Sequence, residues 1–156
     1  MKAILLIDHG SRRREANDMV HCMANLVQNL AGPDVIVRPA HMELADPTIE
    51  QGFASCVEAG ATEVIAFPYM LSPGRHSIED IPAMVAAVAT RHPGVSFHVT
   101  PAFGVHEKLA ELILSRAGIE RQIGKQTDLD CCWSPDKVEI SCGDACRVQQ
   151  TLPVGA

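Results

Sequence analysis

The sequence has few aromatic residues, no long apolar run and no excess of positive charge. Its 156 residues include four Phe, one Tyr and one Trp, so the core must be built from aliphatic side chains and Met. No stretch approaches the ~20 apolar residues that span a bilayer, which excludes a membrane-spanning helix. The formal net charge of -6 argues against non-specific nucleic-acid binding, which requires clustered cations.

The first residues do not resemble a secretory leader. Residues 3–7 are apolar but too few for the core of a signal peptide, and Asp8 interrupts them. We therefore expect a cytoplasmic protein. In that compartment cysteines are expected to be free or metal-bound rather than paired in disulfides.

Four short apolar runs alternate with segments of helical periodicity. The predicted strands are residues 2–8, 34–40, 63–67 and 95–100. The predicted helices run from Ser11 to Gly32-Pro33, from Asp46-Pro47 to Gly60, from Ser77 to Arg91 and from His106 to Ile119. This alternation predicts an α/β fold with a four-stranded parallel sheet, right-handed crossovers and helices on both faces.

Apolar residues recur at helical spacing in the first two helices, which predicts amphipathic packing faces. The expected positions in the first helix are Met19, Cys22, Met23, Leu26, Val27 and Leu30. In the second they are Ile49, Phe53, Cys56 and Val57. Cys22 and Cys56 are therefore interpreted as packing residues.

A change of composition near residue 120 predicts two parts, a folded body over 1–120 and an extension over 121–156. The extension lacks a regular apolar period and contains four cysteines: Cys131, Cys132, Cys142 and Cys146. They point either to an iron–sulfur or zinc site, or to redox-active thiols, or to an irregular tail without a fixed role. Adjacent cysteines point in different directions, which argues against Cys131 and Cys132 binding one metal together.

His9 and His76 each follow an apolar run that ends in a turn. Gly10 lets the chain turn sharply after His9, and Ser11 with the next N–H groups stands at a helix start that favours anions. Pro73-Gly74 precedes Arg75 and His76 at another helix start. Each histidine is either a structural residue or a ligand at the sheet edge where open α/β proteins bind their ligands.

Glu43, His41 and His106 follow other strands at the same predicted edge. Glu43 is a metal ligand, a proton acceptor or simply exposed, whereas His41 either points elsewhere or packs in the core. Two imidazoles with a carboxylate suit a borderline divalent ion such as Fe²⁺, Co²⁺, Ni²⁺ or Zn²⁺. Arg12 and Arg75 stand beside the two histidines, either as solvated charges or as contacts for an anionic ligand.

Four ordered motifs resemble those of the short CbiX/SirB-type sirohydrochlorin chelatases, which are class II chelatases, over residues 1 to about 118. They are Asp8-His9-Gly10-Ser11-Arg12, His41-Met42-Glu43-Leu44-Ala45, Pro73-Gly74-Arg75-His76 with Asp80-Ile81-Pro82, and Phe103-Gly104-Val105-His106. The resemblance implies half of a two-domain chelatase, a three-layer αβα unit that pairs into a homodimer. It also implies a lyase that inserts Fe²⁺, for sirohaem, or Co²⁺, for cobalamin, into sirohydrochlorin without ATP.

The resemblance assigns roles to individual residues. His9 and His76 match the paired metal-site histidines, and Glu43 matches an acidic position near them. An imidazole ordinarily has a pKa of about 6.5, so it can bind a metal or accept a pyrrole proton near neutral pH. The expected contacts for the carboxylates of the tetrapyrrole are Ser11, Arg12, Gly74, Arg75 and His106.

Three further hypotheses about the function are compatible with the sequence. A nickel chelatase is a variant of the same activity, and a non-catalytic tetrapyrrole or metal carrier is a different class of function. A flavodoxin-like regulatory or redox module would make the cysteine-containing tail the active part. That tail is reminiscent of plant-type relatives with a [2Fe-2S] cluster, although its cysteine spacing differs from their pattern.

Overall fold

The computed structural model describes residues 1–121 of the chain. Its elements in order are β1 (Lys2–Asp8), α1 (Arg14–Ala31), β2 (Val35–His41), α2 (Ile49–Glu58), β3 (Glu63–Pro68), a π-helical turn (His76–Asp80), α3 (Ile81–Ala89), β4 (Ser96–Val99) and α4 (Glu107–Arg116). The predicted alternation of strands and helices is confirmed.

The four strands form one parallel sheet in the order β2-β1-β3-β4. β1 is central, and its residues Ala3, Leu5 and Ile7 are completely buried. Asp8 at the end of β1 stands opposite His41 at the end of β2. Because all strands run in one direction, the residues that follow them gather at a single edge of the sheet.

Helices cover both faces of the sheet, as predicted. On one face Val20 and Ala24 of α1 pack with Leu6 and Val37. On the other face, residues of α2 and α3 form the larger core cluster with β1 and β3. That cluster includes Leu5, Phe53, Val64, Ile81 and Val85. These layers form the predicted αβα sandwich and leave the carboxyl edge of the sheet open.

The predicted packing face of α1 is partly correct. Met23 and Val27 pack against the core cluster on this side of the sheet, together with the buried Val20 and Ala24. Met19, Leu26 and Leu30 are exposed, and Cys22 is exposed as well, so its predicted packing role is wrong. The apolar arc of α1 is wider than the surface that the sheet covers, and periodicity alone does not distinguish which of its residues are buried.

Helix α2 begins two residues later than predicted. Its N-cap is Thr48, whose Oγ1 accepts from the Gln51 N–H, while Gln51 Oε1 accepts from the Thr48 N–H. This capping box satisfies two N–H groups at the helix start. Pro47 is not the first helical residue because its carbonyl accepts a hydrogen bond from the His41 N–H at 2.8 Å. That bond extends the pairing of β2.

Cys56 on α2 is buried, which confirms its packing role. Burial raises the pKa of the Cys56 thiol from 9.0 to about 11, and the positive charge of Arg38 partly opposes this rise. The thiol therefore stays protonated near neutral pH, and a protonated thiol is a poor nucleophile.

A second compact unit begins at Gly104, and the first spans Met1–Phe103. The second unit contains α4, whose N-cap is His106. The predicted boundary near residue 120 between body and extension stays a prediction. Among the helices of residues 1–121, none has the length and apolar character needed to cross a membrane.

Candidate active site

His9 and Glu43 are held together by backbone pairing beyond the ends of β1 and β2. The Met42 N–H donates to the Asp8 carbonyl at 2.8 Å, and the Glu43 N–H donates to the His9 carbonyl at 3.1 Å. The side chains then meet, with His9 Nε2 at 2.9 Å from Glu43 Oε1. Both are about half exposed, at 43% and 52%, so the pair stays accessible to a ligand.

Gly10 allows this close approach of the two loops. Its φ of +85° lies in the left-handed region. A Cβ at this position would lie 1.8 Å from the carbonyl oxygen of Glu43, closer than two such atoms can come. Only glycine satisfies both requirements without a shift of the backbone.

His76 approaches His9 from the segment after β3. It is the first residue of the π-helical turn, and its Nδ1 lies 2.8 Å from Asp80 Oδ2, one turn further along. The His76 side chain is 50% exposed. The ring centroids of His9 and His76 are 5.1 Å apart with an interplanar angle of 69°. The structure thus brings together the two imidazoles that the sequence places on separate strands.

The hydrogen-bond partners indicate which nitrogens are available for chemistry. Asp80 can only accept from His76 Nδ1, so the proton of a neutral His76 ring is on Nδ1 and Nε2 carries a lone pair. His9 Nδ1 lies 3.2 Å from the Gly10 carbonyl and its Nε2 lies 2.9 Å from Glu43 Oε1, so both nitrogens of this ring face an acceptor, and Nε2 has a free lone pair only when its contact with Glu43 opens. A carboxylate or carbonyl that orients the ring in this way is typical of metal-binding histidines.

The predicted anion contacts are sequence neighbours of the two histidines: Ser11 and Arg12 follow His9, and Gly74 and Arg75 precede His76. Ser11 Oγ accepts from the Arg13 N–H at 3.0 Å, and Arg12 is exposed. The Arg75 side chain is 78% exposed, with Nε 3.6 Å from Asp80 Oδ1 and 4.0 Å from Glu79 Oε2. Exposed guanidinium groups retain most of their capacity to bind a carboxylate ligand.

The remaining predicted site residues are not part of the first unit. His106 belongs to the second unit, where its Nδ1 accepts from the Lys108 N–H at 3.0 Å. The cysteines of the extension lie outside the described residues. Within residues 1–121, no group of three or more His, Cys, Asp and Glu side chains is arranged to hold a metal ion.

Two residues that support the site escaped sequence reasoning. In the sequence, Asp80 and Asp8 stand out only as members of the four motifs and, for Asp8, as a break in an apolar run, and neither is predicted to make a contact in the site. The signal for Asp80 was its position four residues after His76, which places both on one helical face. The sequence contains no comparable signal for Asp8, because its place opposite His41 depends on the pairing of β1 with β2.

Comparison with known proteins finds one family model and relatives that share one kind of name. The sequence model of the CbiX family matches residues 3–119. The chain is 42% identical over 113 residues to the chloroplastic sirohydrochlorin ferrochelatase of Arabidopsis thaliana, covering 72% of this chain and 50% of that protein. It is 32% identical over 122 residues to the sirohydrochlorin cobaltochelatase of Methanococcoides burtonii, covering 73% of this chain and 92% of that protein.

A solved structure shares the fold. It is the sirohydrochlorin chelatase SirB of Bacillus subtilis subspecies spizizenii in complex with cobalt, with a TM-score of 0.69 and 30% identity. The match covers 75% of this chain and 50% of that one. The chain therefore spans about half the length of the Arabidopsis relative and of this solved protein, and nearly all of the Methanococcoides relative.

Proposed function

The chain belongs to the CbiX family, and on this premise we propose that it inserts a divalent metal ion, Fe²⁺ or Co²⁺, into sirohydrochlorin without ATP. The observation that carries the proposal is the contact between two half-exposed imidazoles, each oriented by a backbone or carboxylate oxygen, with Glu43 beside them. The relatives named as sirohydrochlorin ferrochelatase and cobaltochelatase support the choice of tetrapyrrole and of metals.

Metal insertion requires groups that carry an ion and groups that take protons. Nε2 of His76 carries a lone pair suited to hold the incoming Fe²⁺ or Co²⁺, and Nε2 of His9 offers a second one once its contact with Glu43 opens, because imidazole binds borderline divalent ions. Two imidazoles leave coordination positions open for the pyrrole nitrogens of the macrocycle. Insertion releases two pyrrole protons: Glu43, 2.9 Å from His9, is placed to accept one, and an imidazole that has passed its ion to the macrocycle can accept the other.

The macrocycle is rich in carboxylates, and the site offers donors for them. We assign this role to Arg12 and Arg75, with Ser11 and Gly74 at the adjacent turns. His106 is assigned to the same role from the family resemblance. Arg75 would exchange its contacts with Asp80 and Glu79 for a substrate carboxylate, which releases Asp80 to hold His76 alone.

Turnover by the full chain tests the proposal. We expect anaerobic mixtures of the protein, sirohydrochlorin and Fe²⁺ or Co²⁺ to show the absorbance change of insertion faster than the protein-free control. Parallel reactions with Ni²⁺ test the nickel variant. Tetrapyrrole binding without acceleration for any ion would overturn the catalytic proposal in favour of a carrier.

A homodimer is proposed as well. It is supported by the match of this chain to only about half of the Arabidopsis and Bacillus proteins, and by an exposed apolar row on α1 formed by Met19, Leu26 and Leu30. Exposed apolar patches are frequent sites of association between proteins. Sedimentation equilibrium checks the proposal, since a monomer at micromolar concentration would contradict it.

An iron–sulfur cluster on the extension cysteines stays a prediction. If Cys131, Cys132, Cys142 and Cys146 ligate a [2Fe-2S] cluster, the anaerobically purified protein is expected to be coloured, with charge-transfer absorption in the visible range. Serine substitution of Cys142 and Cys146 should remove the colour, whereas the same change at the exposed Cys22 should not. A colourless protein that contains zinc, or no metal, would contradict the cluster.

A further inference from the structure

A pair formed by the buried imidazole of His41 and the partly buried carboxylate of Asp8 lies next to the candidate site. Asp8 ends β1 and His41 ends β2, and the parallel register sets them opposite each other. The His41 side chain is 0% exposed, and its Nδ1 lies 2.5 Å from Asp8 Oδ1. Neither side chain belongs to the set assigned to metal or proton transfer above.

The same oxygen of Asp8 holds the turn that carries His9. The Gly10 N–H donates to Asp8 Oδ1 at 3.0 Å, so one carboxylate oxygen connects the end of β2 to the residue after His9. His41 Cβ lies next to the same turn, 3.2 Å from where a Cβ on Gly10 would be. Asp8 and His41 thus both contact the His9–Gly10 turn from the side of the sheet.

The burial of His41 has an energetic cost that packing alone does not explain. Its Nε2 is buried and makes no hydrogen bond within the described part of the chain. An apolar residue of similar size would avoid the loss of hydration at this nitrogen. Among residues 1–121, the one polar contact of the ring is that of Nδ1 with Asp8, whose carboxylate also accepts from the Gly10 N–H beside His9. On its other side the ring packs against His21 of α1, with centroids 5.7 Å apart.

We propose that Asp8 and His41 are positioning residues for the His9–Glu43 pair. His41 donates from Nδ1 to Asp8, which fixes the carboxylate so that it also accepts from Gly10. These two hydrogen bonds hold the His9–Gly10 turn in the position where His9 Nε2 contacts Glu43. Loss of the donor lets the turn shift, and a displacement of about 1 Å at reacting groups is enough to cost about 100-fold in rate.

Two substitutions at His41 separate positioning from packing. In His41→Asn the amide nitrogen takes roughly the place of imidazole Nδ1 and can still donate to Asp8. In His41→Leu a side chain of similar size cannot donate. Both remove the ring and its contact with His21, but Asn also buries amide atoms in this fully buried place, so His41→Leu should be at least as stable as His41→Asn in urea denaturation. A lower rate in His41→Leu would then not follow from lower stability.

The rate part of the test rests on the proposed function. Metal insertion by His41→Leu is expected to show a kcat lower by about 10- to 100-fold with KM for sirohydrochlorin unchanged, as is usual when a group that orients a ligand is lost. His41→Asn is expected to recover most of kcat. Equal kcat values for the two variants would overturn the inference, because a packing role does not distinguish a donor from an apolar group.

Calorimetric titration with Co²⁺ alone tests the inference without turnover. We expect His41→Leu to lose about 10-fold in Co²⁺ affinity and His41→Asn to lose little. If the wild type binds Co²⁺ but inserts no metal, the proposed function fails while this contrast still stands. If His41→Leu does not fold, Asp8→Ala, which removes the oxygen that accepts from both His41 and Gly10, takes its place, with Asp8→Asn, which keeps an acceptor oxygen, as its control. Equal Co²⁺ affinity and kcat in Asp8→Ala and Asp8→Asn would contradict the inference.

Discussion

His9→Ala and His76→Ala are each expected to lower the rate of metal insertion by at least about 100-fold, the range typical of removing a group that transfers protons or holds the reacting ion. The two rings are 5.1 Å apart and approach from different loops, so neither can replace the other. Binding of the tetrapyrrole should persist in both variants, because its carboxylates are assigned to other residues. Stopped-flow insertion kinetics and an absorbance titration with sirohydrochlorin measure the two effects.

His98→Ala is the matched control for this experiment. His98 has 54% side-chain exposure, close to the 50% of His76, and it also lies near a carboxylate, with Nδ1 3.7 Å from Glu63. It lies on β4 and does not follow a strand at the carboxyl edge. We expect its rate to equal that of the wild type. Wild-type rates in both His9→Ala and His76→Ala would refute the assignment of the site.

Gly10→Ala is expected to destabilise the protein by about 2–5 kcal/mol, the sum of a left-handed backbone cost and an overpacking cost. The new Cβ would lie 1.8 Å from the Glu43 carbonyl oxygen. The loops of β1 and β2 must therefore separate, which breaks the hydrogen bond from the Glu43 N–H to His9. Metal insertion should fall with it, because the contact between His9 and Glu43 depends on that spacing.

Gly32→Ala isolates the backbone part of this effect. Gly32 has a φ of +81°, almost the same as at Gly10, but a Cβ there meets nothing within 4 Å. We expect Gly32→Ala to cost about 1–3 kcal/mol, the strain of a non-glycine residue at this φ and ψ, and to leave insertion unchanged. Urea denaturation of both variants gives the comparison. If Gly10→Ala is no more destabilising than Gly32→Ala, the close approach to Glu43 does not exist in solution.

The strand pattern was predictable because parallel buried strands are short, continuous apolar runs. Residues 2–8 were located to the residue, and the position of His9 and His76 after strands followed from that. The inward side of α1 was predictable only in part: Met23 and Val27 were expected to pack and do, whereas Val20 and Ala24 were missed in favour of the larger, exposed Met19, Leu26 and Leu30. Size and hydropathy do not indicate that a close helix–sheet contact prefers small side chains.

The supporting contacts of the site depend on register and were therefore missed. The Asp8–His41 pair exists only because β1 and β2 lie side by side in a register that sets their last residues opposite each other. A sequence does not state which strands are neighbours. The start of α2 was misplaced for a related reason. Asp46-Pro47 has the composition of a helix start, but the hydrogen bond from His41 to Pro47 keeps that segment extended.

The two histidines are carried by backbones of unequal local stability. His9 follows the central strand β1, whose Ala3, Leu5 and Ile7 are fully buried, so its backbone is freed only when the sheet itself opens. His76 begins a single π-helical turn in which Arg75, His76 and Ile78 are exposed, and only Ser77 is buried before the core residue Ile81. Its backbone is therefore less enclosed than that of β1. If both rings hold an ion, we expect His76 to release it first while His9 stays bound, so that the less stable backbone sets how long the ion remains in the site.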